Sequence, residues 1–422
     1  MAGTQQDVDV IIIGAGSAGL SAAKAAAERG LSFVLLEASH RIGGRAYTED
    51  FAPGIPYDLG CHWMHSASLN PFVAIADELG FSYRRDSQWR SNIFTGGAFL
   101  GEAEHKRWME GIEADHAAID AAGAQGSDVA VADVIDLSAP WAPFMAYWFS
   151  LGTSRDIDQV SVLDVTNYND TDENWPLREG FGALVARWAA EVPVTLNAKA
   201  ERVTWSGSGV KVETAKGTIT GRTALITVST NVLTAGGIAF EPGLPDWKLE
   251  AAAALPLGVH NRIGIMLNDN PFPPDAPPTA TVQVGDADAV PMSIQIRPFG
   301  LDYISGVTGG RHGSWLERAG IAASVDHLTE CLVAAYGSGI RSSLSERTIV
   351  TAWESDPWTL GSYSGAMPGH GNKRAELARP VDDVLYFAGE ASSTEFFSTC
   401  HGAYLTGIAQ IQAIADRLHK PV

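Results

Sequence analysis

The segment from residue 8 to residue 37 has the order of elements found in dinucleotide-binding folds. Residues 8–13 (VDVIII) form an apolar run of strand length, and the glycine-rich loop G-A-G-S-A-G follows at 14–19. Residues 20–29 are typical of a helix, and a second apolar run at 32–36 ends on Glu37. Strand, glycine loop, helix, strand and acid in this order predict an α/β fold that binds a dinucleotide.

Each residue of the loop has a physical reason to be there. Gly14 permits a tight turn, Gly16 lets the backbone approach a pyrophosphate, and Gly19 lets the helix pack closely on the strand. Ser17 and Ala18 open the helix, whose unpaired N–H groups and positive dipole face the phosphates. The loop is therefore predicted to hold the cofactor through its backbone.

Glu37 and the residues after it narrow the choice of cofactor. The Glu37 carboxylate can accept hydrogen bonds from ribose hydroxyls and would repel a 2′-phosphate, which argues against NADP. In the sequence R-I-G-G-R at 41–45, adjacent glycines let the chain run against a bulky ligand, and each arginine can pair with phosphate or lie beside a flavin. The stretch E-A-x-x-R-x-G-G-R resembles the flavin-binding signature of the flavin amine oxidase superfamily. This resemblance implies FAD rather than NAD, with contacts from Glu37, Ala38, Arg41, Gly43, Gly44 and Arg45.

The C-terminal block resembles the polyamine oxidase and lysine-specific histone demethylase branch of that family. It reads F-A-G-E at 387–390 and T-C-H-G-A-Y-L-T-G at 399–407. A helix that begins at Gly402 and Ala403 would direct its N–H groups at the electron-rich pyrimidine edge of a flavin and stabilise the anionic reduced form. The resemblance implies cofactor contacts from Gly389, Glu390, Thr399, Cys400 and Ala403.

A third block, W-E-S-D-P-W-T-L-G-S-Y-S at 353–364, is similar to the same branch. The resemblance implies that Trp353 and Trp358 line the flavin and that Tyr363 stands over the flavin face and guides the amine. Monoamine oxidases have a covalent cysteine at the place of Ser362, and serine cannot form that thioether. The expected FAD is therefore non-covalent. Monoamine oxidases also have a second tyrosine at the place of Thr399, so the aromatic cage is expected to be one-sided.

Two central segments complete the resemblance. Residues 60–63 combine a glycine turn with aromatic and imidazole side chains. We expect Gly60, Cys61, His62 and Trp63 to contact the cofactor. His65 lies where polyamine oxidases of the pattern W-I-H-G have a histidine near the substrate; the alternative is that His62 and His65 are polar residues satisfied at a domain seam. The strand containing Val203 matches the one whose valine backbone contacts adenine.

One departure from the family concerns the electron acceptor. The family has lysine in a segment like L-G-x-x-x-K, where its ammonium holds a water against flavin N5 and helps oxygen to react. Here the segment starts at Leu257 and Gly258 and ends on Arg262. Arginine stays charged, but its donors form a planar fork and its head is larger. Arg262 either still binds the water or slows reoxidation by oxygen.

The composition restricts the partners. The net charge is −20 with a pI near 4.9, which argues against nucleic acid and anionic membrane. An acidic surface suits a cationic substrate, although acidity also serves solubility alone. Three widely spaced cysteines, Cys61, Cys331 and Cys400, predict neither a zinc site nor a disulfide framework. With no basic leader and no spanning apolar stretch, we expect a cytoplasmic protein outside the membrane.

The motif order predicts a discontinuous architecture. We expect a Rossmann-like FAD-binding domain from residues 1–80, 179–245 and 352–422, and an α+β substrate domain from 81–178 and 246–351, with the active site at their junction. Short strands are expected at 194–196, 218–220 and 223–228, among others. The Pro-rich stretch at 270–291 is expected to be a surface connection.

The predicted activity is FAD-dependent oxidation of an amine C–N bond, with a small-molecule amine and molecular oxygen as partners and no metal. An L-amino-acid oxidase is an alternative that needs an arginine for the carboxylate, and the candidates are Arg84, Arg90, Arg178 and Arg297. Arg262 favours a dehydrogenase with another acceptor. A flavin-bearing interaction module is the non-enzyme alternative, but the chain lacks the long helical insertion of histone demethylases. The oligomeric state, including a homodimer, stays open.

Overall fold

The computed structural model describes residues 7–85 and 92–419. The strands in these ranges are β1 Asp7–Ile13, β2 Phe33–Leu36, β3 Thr48–Ala52, β4 Ile55–Asp58, β5 Trp63–Met64, β6 Asn92–Thr95, β7 Ala98–Phe99, β8 Trp175–Pro176, β9 Ala200–Ser206, β10 Gly209–Thr214, β11 Gly217–Ile226, β12 Ala239–Glu241, β13 His260–Leu267, β14 Thr279–Val282, β15 Met292–Ile296, β16 Tyr303–Gly309, β17 Leu344–Val350 and β18 Leu385–Phe387. The helices are α1 Ser17–Glu28, α2 Pro71–Leu79, α3 Glu102–Ala124, α4 Ala142–Thr153, α5 Val162–Thr166, α6 Phe181–Trp188, α7 Thr230–Thr234, α8 Asp246–Ala253, α9 Gly310–Ala319, α10 Ile321–Tyr336, α11 Lys373–Ala378 and α12 Cys400–His419.

The first sheet has a parallel centre in the order β2-β1-β11-β18. Strands β9, β10 and β11 form antiparallel hairpins beside it, and β12 joins β9 in parallel. The centre is covered on both faces, so β1 is apolar throughout its middle, and Val10, Ile11 and Ile12 are fully buried. The predicted α/β fold is confirmed.

Two strand predictions in this sheet were wrong. The segments predicted at 218–220 and 223–228 belong to one strand, β11. Its first half pairs with β10 and its second half with β18, and Gly221 lies where the partner changes. Residues 194–196 form no strand, and only Thr195 makes a bridge, to Leu36. Both segments depend on which strands lie beside them, which a local sequence pattern does not contain.

The second sheet has the order β17-β13-β16-β15-β14-β6-β7. One face packs on α10 through a core that includes Ile263, Ile294, Ile304 and Leu328. The opposite face carries polar side chains and borders the cavity described below. The Pro-rich stretch is not only a surface connection, because β14 lies within it and pairs with β6 and β15. The alternating sequence T-A-T-V is long enough for a strand despite the prolines on its N-terminal side.

Helices pack on each other and on both sheets. Helix α12 crosses α1 at Gly407, where a Cβ atom would lie 2.2 Å from the Ala18 carbonyl oxygen, so only glycine permits this approach. Helices α3, α4 and α5 form a separate apolar cluster that covers the second sheet from the other side of the cavity. In the part of the chain that is described, no helix is long and apolar enough to cross a bilayer. The first sheet uses segments near both termini, while the exact domain boundaries stay a prediction.

Candidate functional site

A cavity of about 980 Å³ lies between the first sheet and the polar face of the second. Its wall includes almost every site residue predicted from the sequence, and the exceptions are Gly19 and Val203. Gly19 serves packing, because a Cβ there would lie 1.8 Å from the Gly14 carbonyl oxygen. Val203 is fully buried in β9, and residues 198–200 form the wall in its place. The predicted contact of Val203 with the cofactor stays a prediction.

The glycine loop and Glu37 form one end of the cavity. Glu37 Oε2 accepts a hydrogen bond from the Ala15 N–H at 2.7 Å, and Oε1 accepts one from the Ser39 N–H at 2.8 Å. A Cβ on Gly16 would meet no protein atom within 4 Å, so the chain there borders open space. The first turn of α1 has no side-chain cap. Its free N–H groups beside this space could bind a phosphate.

The two arginines of the R-I-G-G-R segment have different partners. Arg41 Nη1 donates to the Gly44 carbonyl at 2.7 Å, and its guanidinium lies 3.7 Å from the Tyr47 ring centroid. Arg45 Nη1 donates to the Ser362 carbonyl at 2.6 Å and to Glu390 Oε1 at 2.9 Å. Arg45 therefore joins the N-terminal signature to the two C-terminal blocks.

Glu390 belongs to a buried charge network that continues across the cavity wall. Burial alone would raise the pKa of Glu390, but Arg45 and Arg374 hold it below its ordinary value. Arg374 also makes a bidentate pair with Asp164, at 2.6 Å from Nε and 2.8 Å from Nη2, and both side chains are 2% exposed. The network joins α5 to α11 and to Ser364, whose hydroxyl donates to Glu390. Sequence reasoning missed Asp164 and Arg374, because their pairing is a tertiary contact with no local signal.

The N-terminus of α12 points at the same cavity as that of α1. The Thr399 hydroxyl accepts a hydrogen bond from the Gly402 N–H at 3.0 Å and donates to the Phe396 carbonyl at 2.7 Å. Thr399 is thus the N-cap of the helix, in addition to lining the cavity. Ser17 Oγ donates to the Cys400 carbonyl at 2.9 Å and fixes the two helix starts side by side. Two positive helix ends facing one space favour a ligand with anionic groups.

Tyr363 has a partner that the sequence did not reveal. Its hydroxyl bonds to the Leu151 carbonyl and lies 2.9 Å from His260 Nδ1. Burial and then the charge of Arg262 lower the pKa of His260 to about 4, and burial raises the pKa of Tyr363. The Ser362 hydroxyl accepts from the His260 N–H at 2.7 Å and donates to its carbonyl, which fixes the loop against β13.

The two predicted tryptophans differ in burial. Trp353 is 6% exposed and donates its indole N–H to the Leu59 carbonyl at 2.9 Å. Trp358 is 42% exposed, so it lies where the cavity opens to solvent. Both line the cavity as expected, with Trp353 as a fixed part of the wall.

His65 is held in one tautomer by its neighbour. Its Nδ1 lies 2.5 Å from Asn174 Oδ1, which can only accept, so Nδ1 carries the hydrogen and Nε2 keeps its lone pair. Burial lowers the pKa of His65, which keeps the imidazole neutral near pH 7. His62 is instead engaged with Asp58, at 2.8 Å between Nδ1 and Oδ2. His65 therefore provides an unprotonated nitrogen in the cavity wall.

Arg262 is also in the wall, 5% exposed. Its Nη2 donates to Ser305 Oγ at 3.3 Å, and its Nε atom has no hydrogen-bond partner among the described residues. The other arginines considered for a carboxylate lie elsewhere. Arg297 pairs with Asp302 at 2.8 Å, Arg178 Nη1 donates to the Phe299 carbonyl at 3.4 Å, and the Arg84 guanidinium lies 4.6 Å from the Phe299 ring centroid. None of these three lines the cavity, and Arg90 lies outside the described residues.

Comparisons with known proteins identify the family of the chain. The model of the flavin-containing amine oxidoreductase family matches residues 17–415. The chain is 28% identical to polyamine oxidase 4 of Oryza sativa subsp. japonica over 97% of this chain and 89% of that protein. It is 24% identical to human lysine-specific histone demethylase 2 over 96% of this chain and 53% of that protein.

Solved structures show the same fold. The cyclohexylamine oxidase of Brevibacterium oxydans superimposes with a TM-score of 0.82 at 22% identity, and the alignment covers 98% of this chain and all of that one (100%). A putrescine oxidase with bound putrescine superimposes with a TM-score of 0.79 at 19% identity, over 99% and 100% of the two chains.

Proposed function

Because the chain belongs to the flavin-containing amine oxidoreductase family, we propose that it oxidises the C–N bond of a primary or secondary amine. The observation that carries the proposal is the single cavity in which the glycine loop, both helix N-termini, Tyr363 and a neutral His65 meet. The amine becomes an imine, which hydrolyses to an aldehyde or ketone. Molecular oxygen takes the electrons and becomes hydrogen peroxide. Arg262 at the usual lysine position favours a slow reaction with oxygen, so a dehydrogenase with another acceptor is the second candidate.

The residues of the cavity fit FAD. The open side of Gly16 leaves room for a pyrophosphate, the α1 N–H groups can bind it, and the fixed oxygens of Glu37 can accept from ribose hydroxyls. The N-terminus of α12 suits the anionic edge of a reduced flavin. FAD, when bound, supplies the hydride acceptor at its N5 atom. With Ser362 engaged by His260 and lacking a thiol, we propose non-covalent binding.

The protein's own residues prepare the amine. An ammonium ion has no lone pair to assist loss of hydride, so the substrate must be neutral when it reacts. Asn174 fixes the tautomer of His65 and leaves Nε2 as a hydrogen-bond acceptor. We propose that Nε2 takes the proton of the substrate's ammonium group. Tyr363, held by Leu151 and His260, provides a rigid aromatic surface that positions the amine.

An anaerobic spectrum with an amine panel tests the proposal. Bleaching of the flavin band by a monoamine, a polyamine or an amino acid would support amine oxidation and identify the class. Rapid recovery in air with formation of peroxide would support oxygen as the acceptor, and slow recovery would support the dehydrogenase. Failure of every amine to bleach the flavin would overturn the proposal.

Substitution of His65 tests its role in proton removal. Burial lowers the pKa of His65. In the wild type we expect the acidic limb of the pH profile for kcat/KM to reflect the titration of His65, because the protonated ring cannot accept a proton. In His65→Gln the limb should move up towards the pKa of the free ammonium, about 10, with at least a tenfold loss at pH 7. Steady-state kinetics from pH 5 to 10 measure this.

His40→Gln is the matched control for this experiment. His40 is exposed and lies outside the cavity wall, so its profile should coincide with that of the wild type. An unchanged limb in His65→Gln would show that the amine loses its proton elsewhere.

A further inference from the structure

Arg262 is a buried cation without an anionic partner. It is absent from the ion pairs formed among the described residues. Its direct contacts are neutral: Ser305 Oγ at 3.3 Å from Nη2, and the Tyr57 ring with its centroid 5.5 Å from the guanidinium carbon. Its Nε atom is buried without a partner. A buried charge in this condition is strongly unfavourable unless a ligand supplies the opposite charge.

The titratable groups around Arg262 do not supply that charge. Burial and the charge of Arg262 lower the pKa of His62 and of His260, and burial lowers that of His65, so all three imidazoles are neutral. Asp58 is a carboxylate near Arg262 but makes no ion pair with it among the described residues: its Oδ2 lies 2.8 Å from His62 Nδ1, and its Oδ1 accepts from the Thr48 hydroxyl. The positive charge of Arg262 is therefore directed at the cavity, which it lines.

The face of the second sheet beside Arg262 continues with polar groups. In β16, Ser305 lies opposite Gly264 of β13 on one side and opposite Gln295 of β15 on the other. Neighbouring side chains on one sheet face lie about 5 Å apart, so Gln295 is close to the Arg262–Ser305 pair. Gln295 lines the cavity, and its Oε1 is a buried acceptor without a partner. The guanidinium of Arg262 therefore lies in a polar part of the cavity wall.

We propose that Arg262 forms a carboxylate subsite, and that the substrate is an amine that also carries a carboxylate, as an amino acid does. The proposal rests on the amine oxidation proposed above and adds the substrate class. The planar guanidinium matches a carboxylate in shape and in charge. Since Arg84, Arg178 and Arg297 lie away from the cavity, Arg262 takes the role considered for them.

Acidic residues at the cavity wall do not oppose this assignment. Asp120, Asp170 and Asp172 line the cavity, but all three are exposed. The other acids of the wall have partners of their own: Asp356 accepts from the Trp358 and Thr359 N–H groups, Glu37 from those of Ala15 and Ser39, and Glu390 pairs with Arg45. Solvent and salt screen the interaction between exposed charges over a distance of about 10 Å, whereas the interactions of a buried charge are screened far less. The acids can attract the ammonium group of an approaching zwitterion, and Arg262 selects for molecules that carry a carboxylate.

Binding of a simple carboxylate to the flavin-loaded protein tests the subsite without turnover. Benzoate and benzyl alcohol form a matched pair, and calorimetry or perturbation of the flavin spectrum gives their Kd values. We expect benzoate to bind the wild type and to bind Arg262→Met at least tenfold more weakly, with a change below twofold for benzyl alcohol. Arg262→Lys, which keeps the charge, should bind benzoate with intermediate affinity.

Arg297→Met is the control, because Arg297 is paired with Asp302 away from the cavity. No binding of benzoate to the wild type, or equal binding to Arg262→Met, would overturn the subsite. Slower reoxidation in air as the only effect of Arg262→Met would also overturn it and would assign the residue to oxygen. If benzoate binds through Arg262 while no amine bleaches the flavin, the subsite holds and amine oxidation fails. If plain amines bleach the flavin and benzoate does not bind, the reverse holds.

Discussion

Gly16→Val should give a folded protein that has lost its flavin. The new Cβ would meet no protein atom within 4 Å, and the φ of Gly16 is −74°, which valine adopts without strain. The side chain would instead occupy the space beside the α1 N-terminus where the pyrophosphate is proposed to bind. We expect the Kd for FAD to rise at least 100-fold, which corresponds to about 2.7 kcal/mol. Titration of the apoprotein with FAD, followed by flavin fluorescence, measures this.

Two properties separate this result from general damage. The thermal midpoint of the apoprotein should match that of wild-type apoprotein, since nothing in the protein is displaced. Gly207→Val is the matched control: Gly207 also has no protein atom within 4 Å of its would-be Cβ, but it lies outside the cavity wall. Gly207→Val should bind FAD normally. Unchanged affinity in Gly16→Val would mean that the pyrophosphate lies elsewhere.

The N-terminal unit could be predicted because its signals are local. Residues 8–37 contain a strand, a glycine turn, a helix and a second strand in sequence, and their roles follow from backbone requirements at Gly14, Gly16 and Gly19. The cap at Thr399 also had a local signal, since threonine three residues before Gly402 is typical of a helix N-cap. The family resemblance implies a cofactor contact for Thr399, at the place of the second cage tyrosine, and it does not indicate the cap.

The remaining features depend on contacts between distant segments. His260 is adjacent to Tyr363 only because β13 and the loop after Trp358 meet, and no spacing in the sequence indicates that pair. β14 forms because β6 and β15 provide partners on both sides. In the sequence, Arg262 departs from the lysine of the family pattern. Its lack of a counter-ion depends on the residues that surround it in the fold, which no local pattern indicates.

Asp164→Ala should have the largest effect on stability. Asp164 and Arg374 are each 2% exposed. Removal of the carboxylate leaves the guanidinium buried with neutral hydrogen-bond acceptors, Ser364 and the Ala391 carbonyl, and with Glu390 connected to it only through the Ser364 hydroxyl. Loss of one partner from a buried pair costs about 3–5 kcal/mol. Chemical denaturation should show this decrease in the free energy of unfolding. Asp302→Ala, which breaks the partly exposed pair with Arg297, should cost less than about 1 kcal/mol.

A double substitution shows whether the cost arises from the uncompensated charge. In the wild type, the guanidinium carbon of Arg374 lies 3.8 Å from the centroid of the Phe397 ring. Asp164→Ala combined with Arg374→Met removes both charges and keeps an apolar side chain against this ring. Replacement of a buried ion pair by apolar residues is often neutral, so the double variant should recover most of the loss. Glu390 keeps Arg45 as its partner in that variant, at 2.9 Å. If the double variant were as unstable as Asp164→Ala, the loss would instead come from the backbone contact that Asp164 Oδ2 makes with the Ala366 N–H.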